Sequence, residues 1–238
     1  MRGIIALLIA CALGACGPTQ EKANAQPAAP AAAFTLPARP AELLGGMAQS
    51  AYVAAVRAAA VQDFTTSYGP CEAVSLRPVR FDPYLRMVDP MDPMALGIGP
   101  EAAALVWRES IEASGCGRIS MRNLIAARQP GTDQPVVAPS VPGASRVSHG
   151  VVRSMLMPLA GAAGAVTTCP AGQGEDFLVV DTRITRAPPR TDDWTSPWDE
   201  EWTLRMCGQR VLADVAFTPT PATGGYGFVV RNPRGAGP

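Results

Sequence analysis

Two stretches of the chain carry apolar residues at the i, i+3, i+4 and i+7 spacing of a helix with one buried face. The first contains Val53, Val56, Ala60 and Phe64, and the second contains Val152, Met155, Leu156, Leu159 and Ala163. Ser148 suits the N-cap of the second stretch, and Pro158 inside it predicts a kink or an early end. The pattern therefore predicts two amphipathic helices.

Each predicted helix is followed by short segments in which apolar residues alternate with polar ones or form brief runs, as they do in β-strands. These segments are 74–81, the stretch around Trp107, 119–127 and 136–138, then 177–185, the stretch around Trp198, 211–218 and 226–230. Residues 89–93 and 188–193 are rich in Pro and Asp and interrupt the strands as loops. The pattern predicts an α+β fold of two units, each with one helix and an antiparallel sheet of three to four strands.

The two units are similar in sequence. A shift of 91 residues places Trp107, Glu109, Cys116 and Gly117 on Trp198, Glu200, Cys207 and Gly208 without a gap. Self-similarity at a fixed spacing indicates an internal repeat. We therefore expect a first unit over residues 47–140 and a second unit over residues 141–238.

A different apolar pattern opens the chain. Met1 and Arg2 give a basic start, residues 3–15 are uncharged and mostly apolar, and the small residues Gly14 and Ala15 directly precede Cys16. The run is shorter than the roughly 20 residues of a membrane-spanning helix, and it has the basic, apolar and small-residue regions of an export signal. These features predict a bacterial lipoprotein signal peptide over residues 1–15, with Cys16 as the lipidated N-terminus.

Two other cleavage positions stay open. Cleavage before Cys11 would leave an apolar region of about seven residues, near the lower limit for an export signal. Ala23-Asn24-Ala25 fits ordinary secretion, but it is separated from the apolar run by the polar residues 19–22. We expect lipidation of Cys16, with soluble secretion after Ala25 as the alternative.

Residues 16–46, which begin at the lipidated cysteine, are rich in Ala, Pro and Gln and show no apolar periodicity. A segment of this composition buries too little apolar surface to fold by itself. We therefore predict a flexible tether between the lipid and the first unit.

Overall charge gives no indication of a nucleic-acid partner. The 20 basic and 20 acidic residues leave a formal net charge of +0, so the chain has no net basic field. The glycines at Gly161 and Gly164 close a helix instead of opening one, so they do not form a phosphate-binding loop. No cofactor is expected.

Six cysteines become four once the signal peptide is removed and Cys16 is lipidated. An even number in an oxidising compartment implies two disulfides, whereas zinc is disfavoured because no C-x2-C pair is present. In an antiparallel pair, a cysteine just before the first strand meets a cysteine just after the second. This geometry favours Cys71–Cys116 and Cys169–Cys207 among the three connectivities.

Tryptophans and acidic residues cluster near the start of the second repeat's central hairpin. Trp198 and Trp202 share one strand face with Glu200, and Trp194 precedes them. One interpretation is a glycan-binding platform of these four residues. The other is core tryptophan, which the repeat favours because both copies of a fold need the same packing. Burial of the two indoles would distinguish these interpretations.

Catalytic chemistry has weak support. Glu109 and Glu200 could form an acid–base pair, but a buried Glu paired with an arginine, or a Glu at a strand edge, is the commoner arrangement. His149 is the only histidine and begins a helix, and no G-x-S-x-G or S-x-x-K motif is present. Asp192, Asp193 and Asp199 lack the D-x-D-x-D-G pattern of a calcium loop. We assign no catalytic residue and no metal.

Two short strings carry a resemblance to a known group of proteins. One is Trp198-x-Glu200-x-Trp202-x4-Cys207-Gly208-x6-Val215-x-Phe217-Thr218-Pro219, and the other is Gly115-Cys116-Gly117 followed by Asn123 and by Pro142-Gly143. Over most of the chain from Cys71 onward, the sequence resembles an uncharacterised group of small proteobacterial envelope proteins, many of them predicted lipoproteins. The resemblance implies export and Cys-Gly hairpins, and it implies no activity.

Together these features predict a membrane-anchored envelope lipoprotein whose folded part is a non-catalytic binding or assembly module. Its expected partners are the lipid bilayer, through acylated Cys16, and another envelope protein in the periplasm. Gly17 replaces the acidic residue that favours retention in the inner membrane in the lipoproteins it resembles, so the outer membrane is expected. The alternative is a glycan- or peptidoglycan-directed binding protein or hydrolase that uses the Trp and Glu residues named above.

Overall fold

The structure is a computed structural model that describes residues 33–83, 105–128, 134–145, 147, 149–169, 176–188, 196–220 and 225–236. Over these ranges the fold is α+β, as predicted, and consists of two four-stranded antiparallel sheets with a small helix content. A helix precedes each sheet along the chain.

The predicted helices are both present. Helix α1 is a short turn over Ala41–Leu44, α2 spans Gln49–Tyr68 and α3 spans His149–Gly164. The buried face of α2 consists of Tyr52, Val56, Ala60, Phe64 and Ser67, and that of α3 includes Val152, Met155, Leu159 and Ala163.

The structure contradicts the expected burial of Leu156 and an early end of α3 at Pro158, whereas a kink at Pro158 stays a prediction. Leu156 is 38% exposed because it lies about 100° around the helix axis from the buried Met155. The helix does not end early at Pro158 but continues to Gly164, and Pro158 lies on its exposed side. Ser148, the expected N-cap, lies outside the described residues.

The first sheet has the order β1-β2-β3-β4. Its strands are β1 over Ser75–Asp82, β2 over Leu105–Gly115, β3 over Arg118–Arg128 and β4 over Val136–Pro139. One face packs against α2, so that Trp107 and Leu124 lie in one core cluster with Tyr52 and Val56.

The second sheet has the order β5-β6-β7-β8. Its strands are β5 over Leu178–Arg186, β6 over Trp198–Met206, β7 over Gln209–Thr220 and β8 over Gly225–Gly235. Burial alternates strictly along β6, so every second side chain faces the core beneath α3.

Both predicted disulfides are confirmed. Cys71 pairs with Cys116, and Cys169 pairs with Cys207, with Cα–Cα distances of 6.0 and 5.3 Å. Cys116-Gly117 turns β2 into β3, and Cys207-Gly208 turns β6 into β7. All four residues have positive φ, between 48° and 73°, which is the pattern of a two-residue type I′ hairpin. Each disulfide therefore fixes the tip of a hairpin to the segment that follows a helix.

The central hairpins of the two sheets have the same register at the shift of 91 residues. Trp107 lies opposite Ala126 and Glu109 opposite Leu124, while Trp198 lies opposite Phe217 and Glu200 opposite Val215. The two Trp-x-Glu pairs therefore occupy equivalent positions in their hairpins.

The predicted tether of residues 16–46 is too long, because residues near its end belong to the folded core. Within residues 33–46, Leu36, Leu43 and Leu44 are buried in the core of the first sheet, and Phe34 packs against that core. These three leucines lie in one core cluster with Tyr52, Val56 and Ala60 of α2. The structure therefore corrects the prediction of a structureless segment up to residue 46.

Residues 141–143, which lie between the two sheets along the sequence, are hydrogen-bonded to both sheets. The Asn123 amide on β3 donates to the carbonyl oxygens of Val141 and Gly143, at 2.8 and 2.9 Å. The Thr182 hydroxyl on β5 donates to the carbonyl oxygen of Pro142 at 2.6 Å. Gly143 has φ +87, and a Cβ there would lie 2.2 Å from the Thr182 carbonyl oxygen, so a glycine is required.

Candidate functional site

The carboxylate of Glu109 is fully buried on β2 and is held by residues that precede the first sheet. Arg39 donates from Nε and Nη2 to the two carboxylate oxygens, each at 2.7 Å. The Arg39 side chain is only 5% exposed, and its guanidinium lies 4.1 Å from the centre of the Phe81 ring. This bidentate pair fixes the segment before α1 to the centre of the sheet.

Tyr52 on α2 completes this site. Its hydroxyl donates to Oε1 of Glu109 at 2.9 Å and accepts the indole N–H of Trp107 at 2.7 Å. Burial, and then the nearby Glu109 carboxylate, raise the pKa of the Tyr52 hydroxyl well above its usual range. Tyr52 therefore links the Trp107 indole to the Glu109 carboxylate through one hydroxyl.

The carboxylate of Glu200 is also fully buried, but it accepts hydrogen bonds from its own strand. The indole N–H of Trp198 donates to one oxygen and that of Trp202 to the other, both at 2.9 Å. Trp198 lies two residues before Glu200 and Trp202 lies two residues after it, so all three side chains are on the inner face of β6. Trp198 also stacks on Phe217 with ring centres 4.7 Å apart.

The two central tryptophans of the candidate glycan platform lie in the protein core. Trp198 is 1% exposed and Trp202 is 0% exposed, so neither ring presents a face on which a sugar could stack. This burial favours the interpretation of core tryptophan for these two residues. Trp194 lies outside the described residues.

Glu109 and Glu200 do not have the surroundings of an acid–base pair. Both are 0% exposed, and each carboxylate oxygen accepts a hydrogen bond from a buried or nearly buried side chain. Glu109 has the arginine partner that a buried structural glutamate needs. The geometry thus assigns both carboxylates to packing and strand positioning.

Sequence reasoning missed the arginine and the tyrosine around Glu109 and a third buried polar site around Arg122. Arg122 on β3 is fully buried and donates to the Ser67 hydroxyl at 2.8 Å, to the Val180 carbonyl oxygen at 3.0 Å and to Asp63 at 3.2 Å, and it also bonds to Ser120. Burial raises the pKa of the Asp63 carboxyl group, and Arg122 opposes this change. One signal was available, because Arg122 occupies the same strand face as the apolar Leu124 and Ala126.

The remaining candidate residues give no site. Asp199 forms an exposed ion pair with Arg186, while Asp192 and Asp193 lie outside the described residues. His149 begins α3 as expected. Over the residues that the structure describes, no group of three His, Cys, Asp or Glu side chains could hold a metal ion.

The N-terminal predictions fall outside the described residues, since Cys11, Cys16 and Ala25 all precede residue 33. Within the described ranges no helix is both long enough and apolar enough to cross a membrane.

Comparison of the chain with protein-family models, with curated proteins and with solved structures gave no match.

Proposed function

We propose that the protein is an envelope lipoprotein, anchored to the membrane through acylated Cys16, whose folded part is a non-catalytic binding or assembly module in the periplasm. The short apolar run before Cys16 and the small residues beside it support lipidation. Gly17 supports the outer membrane over the inner.

The observation that carries this proposal is the pairing of Cys71 with Cys116 and of Cys169 with Cys207. Disulfides of this kind persist in oxidising compartments such as the bacterial periplasm and are rare in the cytosol. After removal of residues 1–15, Cys16 is the one cysteine that does not take part in a disulfide. That division of the cysteines is what a lipidated, exported chain requires.

The buried glutamates support a non-catalytic role. Their carboxylate oxygens accept hydrogen bonds from Arg39, Tyr52, Trp198 and Trp202. The two candidate acid–base residues therefore take part in contacts that stabilise the sheets. A catalytic carboxylate needs access to a substrate atom within hydrogen-bond reach.

The proposed module consists of two copies of one unit, over residues 47–140 and 141–238. The common register of the two central hairpins supports this duplication, as do the two Cys-Gly turns with nearly equal φ angles. The same Trp-x-Glu pair lies on the buried face of each hairpin.

Metabolic labelling with a clickable palmitate analogue tests the anchor. The full chain is produced in a Gram-negative host, and Cys16→Ser should abolish labelling while the matched control Cys11→Ser keeps it. Mass spectrometry of the mature chain should give an N-terminus at acylated Cys16, and density-gradient fractionation should recover it with the outer membrane.

Two results would contradict the anchored form. One is labelling that survives Cys16→Ser. The other is a mature, unacylated chain that begins at Gln26, because this would show secretion after Ala25.

A further inference from the structure

The two halves of the folded part, which carry the first and the second sheet, have separate hydrophobic cores. Over the described residues, the cluster that packs α2 on the first sheet shares no member with the cluster that packs α3 on the second. Helix α2 nevertheless lies against β5 of the second sheet, and hydrogen bonds join the halves there. A polar contact of this kind resembles an interface between domains that can move relative to each other.

Arg122 on β3 lies at the centre of this contact. The residue is 0% exposed, and its guanidinium donates to the Ser67 hydroxyl on α2 at 2.8 Å and to the Val180 carbonyl oxygen on β5 at 3.0 Å. Asp63, also on α2, forms an ion pair with Arg122 at 3.2 Å. One side chain therefore connects three elements, and the rigid fork of its N–H groups fixes the positions of their acceptors relative to one another.

The carbonyl that Arg122 reaches on the second sheet belongs to a bulge in β5. Pairing with β6 passes from Val179 directly to Asp181, so Val180 is an extra residue with no residue opposite it on β6. A bulge leaves its extra residue outside the ladder and is a specific feature of a strand, not a defect. Here the extra residue supplies the acceptor for a buried donor of the other sheet.

Further hydrogen bonds reach the same short stretch of β5, residues 180–182. The Tyr68 hydroxyl at the end of α2 donates to Oδ2 of Asp181 at 3.3 Å. The Ala144 N–H, in the segment that connects the halves, donates to the Thr182 carbonyl oxygen at 2.8 Å. Residues 180–182 are therefore bonded both to α2 and to the connecting segment, on either side of the bond from β3.

Stability alone does not account well for a buried arginine at this position. The carboxylate in its described ion pair belongs to a side chain that is 12% exposed, and Nε of Arg122 has no hydrogen-bond partner among the described residues. Apolar residues of similar volume are often as stabilising as a buried ion pair, whereas buried polar groups can specify one arrangement of the parts that they connect. The bonds from Arg122 to both α2 and β5 fit the second of these roles.

We propose that Arg122 fixes the orientation of the second sheet relative to the first. Each half is stabilised by its own core and its own disulfide, while the bond from Arg122 to Val180 selects one arrangement of the two halves. This inference goes beyond the proposed binding role, because it concerns how the two sheets are presented together to any partner that contacts both. It does not depend on the lipid anchor.

A distance measured between the sheets tests this proposal. p-Acetylphenylalanine replaces Val79 on β1 and Val229 on β8, which are 45% and 52% exposed, and each ketone is coupled to a hydroxylamine nitroxide so that the cysteines stay unmodified. Double electron–electron resonance on the full chain in detergent micelles should give one narrow distance distribution.

The test variant combines Arg122→Met with Asp63→Asn. Methionine has no N–H to donate to β5, and the second substitution avoids leaving a carboxylate without its partner. The variant should lose the single narrow distribution and populate additional distances. Both disulfides and the hydrogen-exchange protection of the central hairpins should be retained, because the two cores are unchanged.

Tyr52→Phe is the matched control. It removes buried hydrogen bonds between α2 and the first sheet, and the described bonds of Tyr52 do not reach the second sheet. Its distance distribution should therefore be as narrow as that of the wild type, although its free energy of unfolding is lower.

Arg122→Lys is the second variant, for use if the first does not fold. Lysine keeps the positive charge beside Asp63 but has no planar fork to hold α2 and β5 in fixed directions. Its distance distribution should be broader than that of the wild type, with both disulfides retained.

Three outcomes would overturn the proposal. The first is a distribution as narrow as that of the wild type in a folded variant at position 122. The second is loss of the disulfides and of protection in both variants, because Arg122 would then be required for the fold of the sheets themselves. The third is a broad distribution in the wild type or in Tyr52→Phe, because Arg122 would then not select one orientation.

Discussion

Glu109 in the first sheet and Glu200 in the second occupy the same register position in their hairpins, but they are held by different parts of the chain. Glu109 accepts hydrogen bonds from Arg39, before α1, and from Tyr52 on α2. Glu200 accepts them from Trp198 and Trp202, its neighbours on the same face of β6. The described bonds to Glu109 join three segments, whereas the two indole bonds to Glu200 come from its own strand.

This difference shows that buried carboxylates at the same register position can be held by different parts of the chain. A buried charge must be compensated, and the compensation determines which segments become coupled. In the first sheet, compensation of Glu109 joins it to Arg39, which lies 70 residues earlier in the sequence. The segment around Arg39 therefore folds as part of the core of that sheet. In the second, the bonds from Trp198 and Trp202 orient two large rings within a single layer.

Loss of Arg39 should have the largest effect on this comparison. Arg39→Met keeps most of the side-chain volume but leaves Glu109 without its guanidinium partner, which should lower the free energy of unfolding by about 3–5 kcal/mol. Urea unfolding followed by tryptophan fluorescence measures this loss.

The matched control is Arg77→Met. Arg77 forms a bidentate pair with Glu112 on the same sheet, but its side chain is 66% exposed, so its loss should leave the free energy of unfolding almost unchanged. An equal loss of unfolding free energy in the two variants would show that burial does not strengthen the Arg39–Glu109 pair.

Loss of one indole N–H should have the next largest effect. Trp202→Phe removes a donor to the buried Glu200 and some volume from the core, and should lower the free energy of unfolding by about 2–3 kcal/mol. A double-mutant cycle with Glu200→Met, which has no oxygen to accept this bond, separates the hydrogen bond from the volume. Free-energy changes that add to within about 0.5 kcal/mol would contradict the role of Glu200 as the acceptor of this bond.

Much of the fold could be predicted because it depends on local pattern. The i, i+4 stripe of α2 and the alternation along β6 are visible in the sequence, since each depends only on which face a residue occupies. The disulfide pairing followed from the antiparallel order of the strands and from the positions of the cysteines at their ends. The duplication of the unit and the lipid anchor remain predictions.

The partners of the carboxylates could not be predicted in the same way. Arg39 lies in an Ala- and Pro-rich stretch whose composition is typical of a linker, and its contact with Glu109 is non-local. The direction of an indole N–H depends on the rotamer that core packing selects, so the sequence does not distinguish a tryptophan that bonds Glu200 from one that bonds Tyr52. Sequence spacing therefore identified the glutamates, and only the three-dimensional packing identified what they do.

The smallest effect is expected from the hydroxyl that joins Trp107 to Glu109. Tyr52→Phe removes both of its hydrogen bonds while Arg39 stays in place, so the cost at neutral pH should be about 1–2 kcal/mol.

The pH dependence distinguishes this hydroxyl from a simple packing contact. Burial raises the pKa of Tyr52 in the folded protein above that of the unfolded chain, so the folded state keeps this proton where the unfolded state loses it. The contribution of Tyr52 is therefore complete below about pH 10, the ordinary pKa of tyrosine, and is progressively lost above it. Urea unfolding of both proteins at pH 7 and pH 11 should show a smaller difference between wild type and Tyr52→Phe at pH 11. An unchanged difference would mean that the hydroxyl titrates alike in the folded and unfolded states, which its place between the Trp107 indole and the Glu109 carboxylate does not allow.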